Sequence, residues 1–586
     1  MKMSQVRRGV ILPVVLFVLL LLGLLVAMFS FRVNADLAST RAIAYRLQTR
    51  LAAEAGVERV KLLLRESRYD MDRWYHNPDE LHRIIVWMED GDETLWGTNE
   101  EFEDELMVYR FSIVADDPTD DEEYIRFGIT DEASKVNLNT ATEWQLRMLV
   151  RAAVAGDEEI DPQEIVDAIL DWRDVDRVPR GADGDTEGEY YRTLPKPYLV
   201  KNGPFDTVEE LLLVKGVTGQ ILYGEDFDRN GLLTANEDDG DETFPRGDNQ
   251  DGVLNRGLYP YLTVLSAEDN VSNDNRPRVY LLGDEATARA ELSLAFPDEP
   301  GVVDFIVGAA RGQEGSGDKG GGGKGSGGEG SGGEGSGGKG SGGEGSGGKG
   351  SGGKGGGGEG SGGKGNKLER KGGKGEKGPG DTDTQPDGAE GGLDELGEGA
   401  LSPDTGASDP TEMDDAGSGS KPIRTPASLF RAEGSPLTLE HLPVLMDRTT
   451  MVPPEQRTLI GLININTAPP LVLRCIEGLT GEHIGAILEV RDTLDPETKA
   501  TTAWLLTEDV VDFETFEQIA SQITARGQQF RIESLGYAGH IGMVTRLEVV
   551  VDMLGPIAET VYYRDLTYLG GHYPIREKDL ENIRVR

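Results

Sequence analysis

The chain opens with an uncharged apolar run, Val10 to Phe31, preceded by a short stretch that carries Lys2, Arg7 and Arg8 and no acid. As a helix rising about 1.5 Å per residue, this run reaches about 30 Å, the thickness of a bilayer's hydrocarbon core. It predicts a membrane-spanning helix. The basic flank predicts a cytoplasmic N-terminus, with the bulk of the chain across the membrane, in the periplasm of a two-membrane cell. The helical pattern runs on. Between Val33 and Leu64 there is no proline and only Gly56 as glycine. Leu37, Ala44, Leu47, Leu51, Ala55 and Leu62 recur at intervals that place them on one helix face. The spacing predicts one helix of about 55 to 60 residues whose outer half lays that face on a sheet. Alternating runs at Leu106–Val114 and Tyr124–Ile129 predict two of the strands.

Further along, the pattern turns helical and repeats. Val136-Asn137-Leu138-Asn139-Thr140-Ala141 recurs as Ile463-Asn464-Ile465-Asn466-Thr467-Ala468. Each copy precedes two helical stretches, Trp144–Val154 and Pro162–Trp172 in the first, Pro470–Glu477 and Gly481–Arg491 in the second. Thr140 and Thr467 stand where N-caps belong, and the asparagines can fix the loop by side chain–backbone hydrogen bonds. Both blocks read as helix–hairpin–helix units. Asp171-Trp172-Arg173-Asp174 reads as a core tryptophan beside a helix-end salt bridge.

Composition narrows the picture. Glycine accounts for 80 of 586 residues, and Gly312–Gly365 is built largely from GSGGEG and GSGGKG units. Residues 312–421 contain no aromatic residue. Such a tract cannot bury enough apolar surface to offset its ordering entropy and predicts a long disordered insertion. Against 59 basic residues stand 104 acidic ones, a net charge of −45, so no nucleic-acid partner is expected. Cys475 is the single cysteine, which excludes an internal disulfide and a cysteine metal site and reads as a buried thiol. No nucleophile–base pair or HExxH motif is visible, and no enzyme is expected.

The sharpest chemical signal is the twelve-residue run Asp226–Glu237. Asp226, Asp228 and Asn230 fill positions 1, 3 and 5 of a calcium loop, and Gly231 takes the sharp turn at position 6. Leu232 offers its carbonyl, Thr234 acts directly or through water, and Glu237 closes the ring. Ca²⁺ needs six to eight oxygens, and this spacing curls them around one point. A second, incomplete loop follows, with Asn249 and Asp251 at positions 3 and 5. A structural Ca²⁺ is the expected cofactor; it would neutralise repelling carboxylates and hold a long loop in place.

The segments DEASKVNLNTATEWQLRMLV, IVDAILDWRDVD and YLVKNGPFDTVEELLLVKGV, in that order, resemble the K minor pseudopilin family of type II secretion systems. LININTAPPLVLRCIEGL and FRIESLGYAGHIGMVTRLEVVV continue the likeness. Arg8-Gly9 before the apolar run resembles a prepilin leader, cut after Gly9 to leave Val10 first; an uncleaved anchor is the alternative. Val14 stands where most pseudopilins carry glutamate, an absence typical of the K subunit. The resemblance implies an α+β fold in which a pilin-like helix packs on a small antiparallel sheet, with a large, mostly helical domain inserted between strands. It partitions the chain as leader 1–9, membrane helix 10–31, helix and first strands 32–130, and inserted domain 131–311. The glycine-rich insertion 312–421, a second helical block 422–529 and closing strands 530–586 complete it. It implies a non-catalytic subunit of the inner membrane that joins other minor pseudopilins, starts and caps the pseudopilus tip, contacts the secretion platform and is processed by prepilin peptidase. The alternative is a membrane-anchored helix–hairpin–helix DNA-uptake protein, with VKGVTGQIL at 214–222 as its nearest hairpin.

Overall fold

The computed structural model describes residues 11–89, 107–116, 125–155, 160–180, 188–240, 242–244, 248, 250, 252–312, 423–539, 542–570 and 573. The leader with Gly9 and Val10, the glycine-rich insertion, and Asn249 and Asp251 lie outside the described residues. One helix, α1 (Ile11–Ser67), runs through the apolar segment and beyond it. Its first two turns and more are apolar on every side, and from Leu12 it is long and apolar enough to cross a membrane.

The outer half of α1 packs on a seven-stranded antiparallel sheet. Its five long strands are β1 (Ile84–Glu89), β2 (Met107–Asp116), β3 (Gln529–Ala538), β4 (Met543–Asp552) and β5 (Glu559–Asp565), in that spatial order, and two short segments pair alongside them. The long stretch of chain between Asp116 and Gln529 is thus strung between neighbouring strands β2 and β3. Ala53, Val57, Val60 and Leu64 of α1 meet Phe111, Ile113, Ile532 and Val549 in one buried cluster.

The helix turns a different face to the sheet than its large apolar residues predict. Leu37, Ala44, Leu47, Leu51 and Leu62 are exposed and Ala55 is half-buried. The packed face is Thr49, Ala52, Ala53, Gly56, Val57, Val60, Leu63 and Leu64. Close approach decides this. A Cβ on Gly536 of β3 would lie 2.0 Å from the Thr49 carbonyl, and one on Gly56 would lie 2.5 Å from Ser534 Oγ. Small residues let the backbones touch; a leucine at this seam would hold them apart. Ser534 Oγ then donates to the Ala53 carbonyl at 2.8 Å, and Thr49 and Thr545 share a hydroxyl hydrogen bond at 2.7 Å.

The run predicted as a strand over Tyr124–Ile129 pairs with β2 only at Ile125–Arg126. The next residues bond instead to the segment after α1: Asn77 N donates to the Phe127 carbonyl and Ile129 N to the Trp74 carbonyl. Gly128 permits this, because a Cβ there would lie 1.9 Å from the Tyr75 carbonyl. Thr130–Asp131 then rejoin the sheet against Phe530–Arg531.

The two repeat copies adopt matching local structures. Val136–Asn137 pairs in parallel with Leu262–Thr263, and Ile463–Asn464 in parallel with Ile523–Thr524. Asn137 Oδ1 accepts from Asn139 N at 2.9 Å, as Asn464 Oδ1 does from Asn466 N at 3.0 Å. The helices α2 (Glu143–Ala153) and α3 (Pro162–Arg173) follow the first copy, and Pro470–Leu473 and α4 (Gly481–Arg491) the second. An arginine ending each second helix caps its own copy: Arg173 donates to the Leu138 and Ala141 carbonyls, Arg491 to the Ala468 carbonyl. Leu149, Ile169, Val472, Ile487 and Trp504 belong to one shared core.

Neither Thr140 nor Thr467 is an N-cap. Thr142 caps α2 and forms a capping box with Gln145. Thr467 instead donates to Asp131 Oδ2 at 3.1 Å, and Pro469 precedes a helix that ends at Leu473, short of Glu477. Trp172 is buried and donates to Glu210 at 2.9 Å; Asp171 and Asp174 face Arg180 at 3.5 and 3.7 Å.

Candidate metal centre

The acidic loop grows from a tight junction. The short helix Gly219–Tyr223 stops at Gly224, whose φ of +62° an L side chain rarely adopts, and a Cβ there would lie 1.9 Å from the Asn255 carbonyl. Glu225 N donates to that carbonyl at 2.7 Å, and Asn255 N donates back to Glu225 Oε2 at 3.0 Å. The run between is thereby closed at its base into a loop.

Within it the backbone turns twice through left-handed conformations, at Arg229 (φ +56°) and Gly231 (φ +73°). Asp226 accepts from Asn230 N at 2.9 Å and from Gly231 N at 3.1 Å; Asp228 accepts from Asn230 N at 3.1 Å. Glu237 reaches back across the loop to accept from Phe227 N at 3.1 Å and Thr234 N at 3.0 Å. As a result, carboxylate oxygens of Asp226, Asp228 and Glu237 lie within 4.8 Å of one another. Asp226 and Glu237 are buried. Burial pushes the Asp226 carboxyl up to about 8, and the charges of Asp116, Asp228 and Glu237 add to the rise.

Three converging carboxylates, held by backbone amides, are hard oxygen donors of the kind a Ca²⁺ ion takes. The donor set fits such an ion. The other proposed ligands, Asn230, Leu232 and Thr234, lie in the same loop. Asn230 Oδ1 accepts from Leu232 N at 2.7 Å, and the Thr234 hydroxyl donates to Glu237 and Asn236. Leu232 buries its side chain with Val114, Leu535, Tyr537 and Tyr573 on the far side of the sheet from α1. In the second acidic patch, Asp248 accepts from Gly240 N and Gln250 N at 2.6 and 2.7 Å.

Three residues that the loop pattern does not contain surround it. Asp116, at the end of β2, is close enough to Gly231 that a Cβ there would lie 2.5 Å from its Oδ1. Arg256 pairs with Asp116 at 3.3 Å and donates to the Gly231 carbonyl at 3.2 Å. Arg546 of β4 is 1% exposed and donates to the carbonyls of Asp228 and Arg229. Their separation from the loop along the chain hides them from any reading of local spacing.

Residues 129–223 match the family model described as type II secretion system, protein K. No curated protein matches the chain. Among solved structures it is similar to a chain in the crystal structure of the GspK-GspI-GspJ complex from the enterotoxigenic Escherichia coli type 2 secretion system. The identity is 9% and the TM-score 0.33, with 90% of this chain and 98% of that chain covered.

Proposed function

We infer, from a chain whose residues 129–223 match the family model of type II secretion system protein K, that this protein is a minor pseudopilin, a structural subunit anchored in the inner membrane. The observation that carries the reading is α1: a membrane-length apolar segment continuous with an outer half laid on an antiparallel sheet. The side of α1 turned away from the sheet supports assembly. Ile43, Leu47, Leu51 and Leu62 form an exposed apolar stripe there, and such a stripe on a helix leaving a membrane suits packing against the helices of other minor pseudopilins. Arg41 and Arg46 flank its membrane-proximal part, so the neighbouring helix is expected to carry carboxylates. In this reading the subunit joins other minor pseudopilins, caps the pseudopilus tip and contacts the secretion platform, with its inserted region in the periplasm. Asp226, Asp228 and Glu237 hold a structural Ca²⁺. No nucleic-acid partner is proposed for a chain of net charge −45.

The test is processing. Co-expression with a prepilin peptidase is expected to remove residues 1–9, read as the mass of the mature N-terminal fragment, and Gly9→Ala is expected to block or slow the cut. An intact N-terminus, in cells that process a known pseudopilin, refutes the assignment.

A further inference from the structure

We propose that the acidic loop is a weld between the inserted region and the pilin-like sheet, with Arg546 as the positioning residue that gives the loop its cation affinity. The proposal rests on the reading of Asp226, Asp228 and Glu237 as a Ca²⁺ site and adds to it a role for residues more than a hundred positions away on either side.

The loop belongs to the inserted region by sequence, yet its surroundings are the sheet. Arg546 sits on β4, fully enclosed, with its guanidinium forked into the loop: Nη1 donates to the Asp228 carbonyl at 2.7 Å and Nη2 to the Arg229 carbonyl at 2.5 Å. Its Nε donates to Glu533 of β3, which fixes the plane of the fork from behind. Arg229 is held at φ +56°, a conformation that costs a non-glycine residue free energy unless its surroundings enforce it. The fork is that enforcement. It satisfies both carbonyls only when residues 228 and 229 are turned as they are, and this turn directs Asp228 back toward Asp226. On the other flank, Arg256 donates to the Gly231 carbonyl at 3.2 Å while paired with Asp116 of β2. Leu232 is packed beneath with Val114 and Leu535. The turn that gathers the three carboxylates is therefore set by β2, β3 and β4.

Two consequences follow. Removing the fork takes the guanidinium donors from the Asp228 and Arg229 carbonyls and leaves Arg229 the weaker Tyr573 hydroxyl at 3.5 Å, so the turn loosens, the carboxylates separate and affinity falls. Groups that orient metal ligands from behind typically change affinity by roughly ten- to a hundredfold. Conversely, a cation that binds only the ordered loop must stabilise the strands that order it, because linkage is reciprocal.

The experiment uses the full chain in detergent micelles, with Ca²⁺ titrated by calorimetry into wild type, Arg546→Gln, Arg546→Lys and Asp226→Asn. Wild type is expected to bind, Asp226→Asn to lose binding, and Arg546→Gln to bind about tenfold or more weakly. Arg546→Lys, which keeps the charge toward Glu533 and can reach one carbonyl, is expected to fall between. Hydrogen exchange on wild type with and without Ca²⁺ gives an independent readout, expected to slow at Leu547–Val551 of β4. Equal affinity in wild type and Arg546→Gln, or β4 exchange that Ca²⁺ leaves unchanged, overturns the proposal while the Ca²⁺ site stands. A wild-type chain that takes up no Ca²⁺ overturns the site itself. If Arg546→Gln fails to fold, the exchange measurement still decides.

Discussion

The seam between α1 and the sheet makes a quantitative prediction at Gly536. An added Cβ there would lie 2.0 Å from the Thr49 carbonyl, 2.4 Å from Ala53 N and 2.9 Å from Ala53 Cβ. Two of those atoms are helix backbone and cannot swing away. To reach an ordinary contact of about 3.2 Å or more, helix and strand must part by roughly 1 Å, and a gap of that size forfeits about a quarter to a half of the contact energy along the seam. Overpacking of a core costs about 1–3 kcal/mol. The two hydrogen bonds that cross the seam, Ser534 to Ala53 and Thr49 to Thr545, are stretched as well, at about 1 kcal/mol each. Gly536→Ala is therefore expected to destabilise the chain by about 3–5 kcal/mol. The control is Gly485→Ala in α4, where a Cβ meets nothing within 4 Å and the better helix former should stabilise by up to about 1 kcal/mol. Guanidinium unfolding of the full chain in micelles, followed by tryptophan fluorescence, compares them; Trp74 reports directly from this core. Equal midpoints for the two variants would refute the close-approach argument.

Other buried groups give further expectations. Burial raises the Glu132 carboxyl, but the charges of Arg531 and Lys135 outweigh it and hold the group near 2. Glu132→Gln leaves Lys135 without its paired carboxylate and Arg531 with Glu548 alone and should cost about 3–5 kcal/mol, read as a lowered unfolding midpoint; a loss below about 1 kcal/mol would show that the network is not buried as described. Burial moves the neighbouring Asp131 the other way, to about 6, against the hydrogen bonds from Asn464, Ala133 and Thr467. Its folded pKa is raised, so its stabilising contribution is complete below its ordinary value and is lost as pH rises from about 4 through about 6. At 1.36 kcal/mol per unit, the wild type should lose on the order of 3 kcal/mol relative to Asp131→Asn over that window. Parallel stability curves for the two between pH 4 and 7 would exclude the shift. Burial lifts the Cys475 thiol to about 12, so maleimide labelling at pH 7 should be slow in native chain and fast in denatured chain; comparable rates would place the thiol at the surface.

Much of this protein was written into local sequence. An uncharged run of membrane length predicts one continuous apolar helix, so the start of α1, long and apolar enough to cross a membrane, was legible from that run alone. Alternation over Leu106–Val114 marked β2, the Asn-x-Asn-Thr-Ala copies marked two loops with the same internal hydrogen bonds, and the oxygen spacing of Asp226–Glu237 marked three carboxylates that do converge. The cap of α2 was legible too, as Thr142 three residues before Gln145, the spacing of a capping box.

Tertiary structure alone decided the rest, and the reason is distance along the chain. Which face of α1 packs depended on Gly536, almost five hundred residues away; large leucines signal apolarity, but only the partner backbone determines that small residues are needed. Thr467 was drawn from capping by Asp131, and Phe127–Ile129 were drawn from the sheet by Trp74 and Asn77. The carboxylate loop owes its shape to Arg546 and its flank to Asp116 and Arg256. Spacing within twelve residues can specify which oxygens are offered. The atoms that turn those oxygens toward one point come from strands that meet the loop only when the chain has folded.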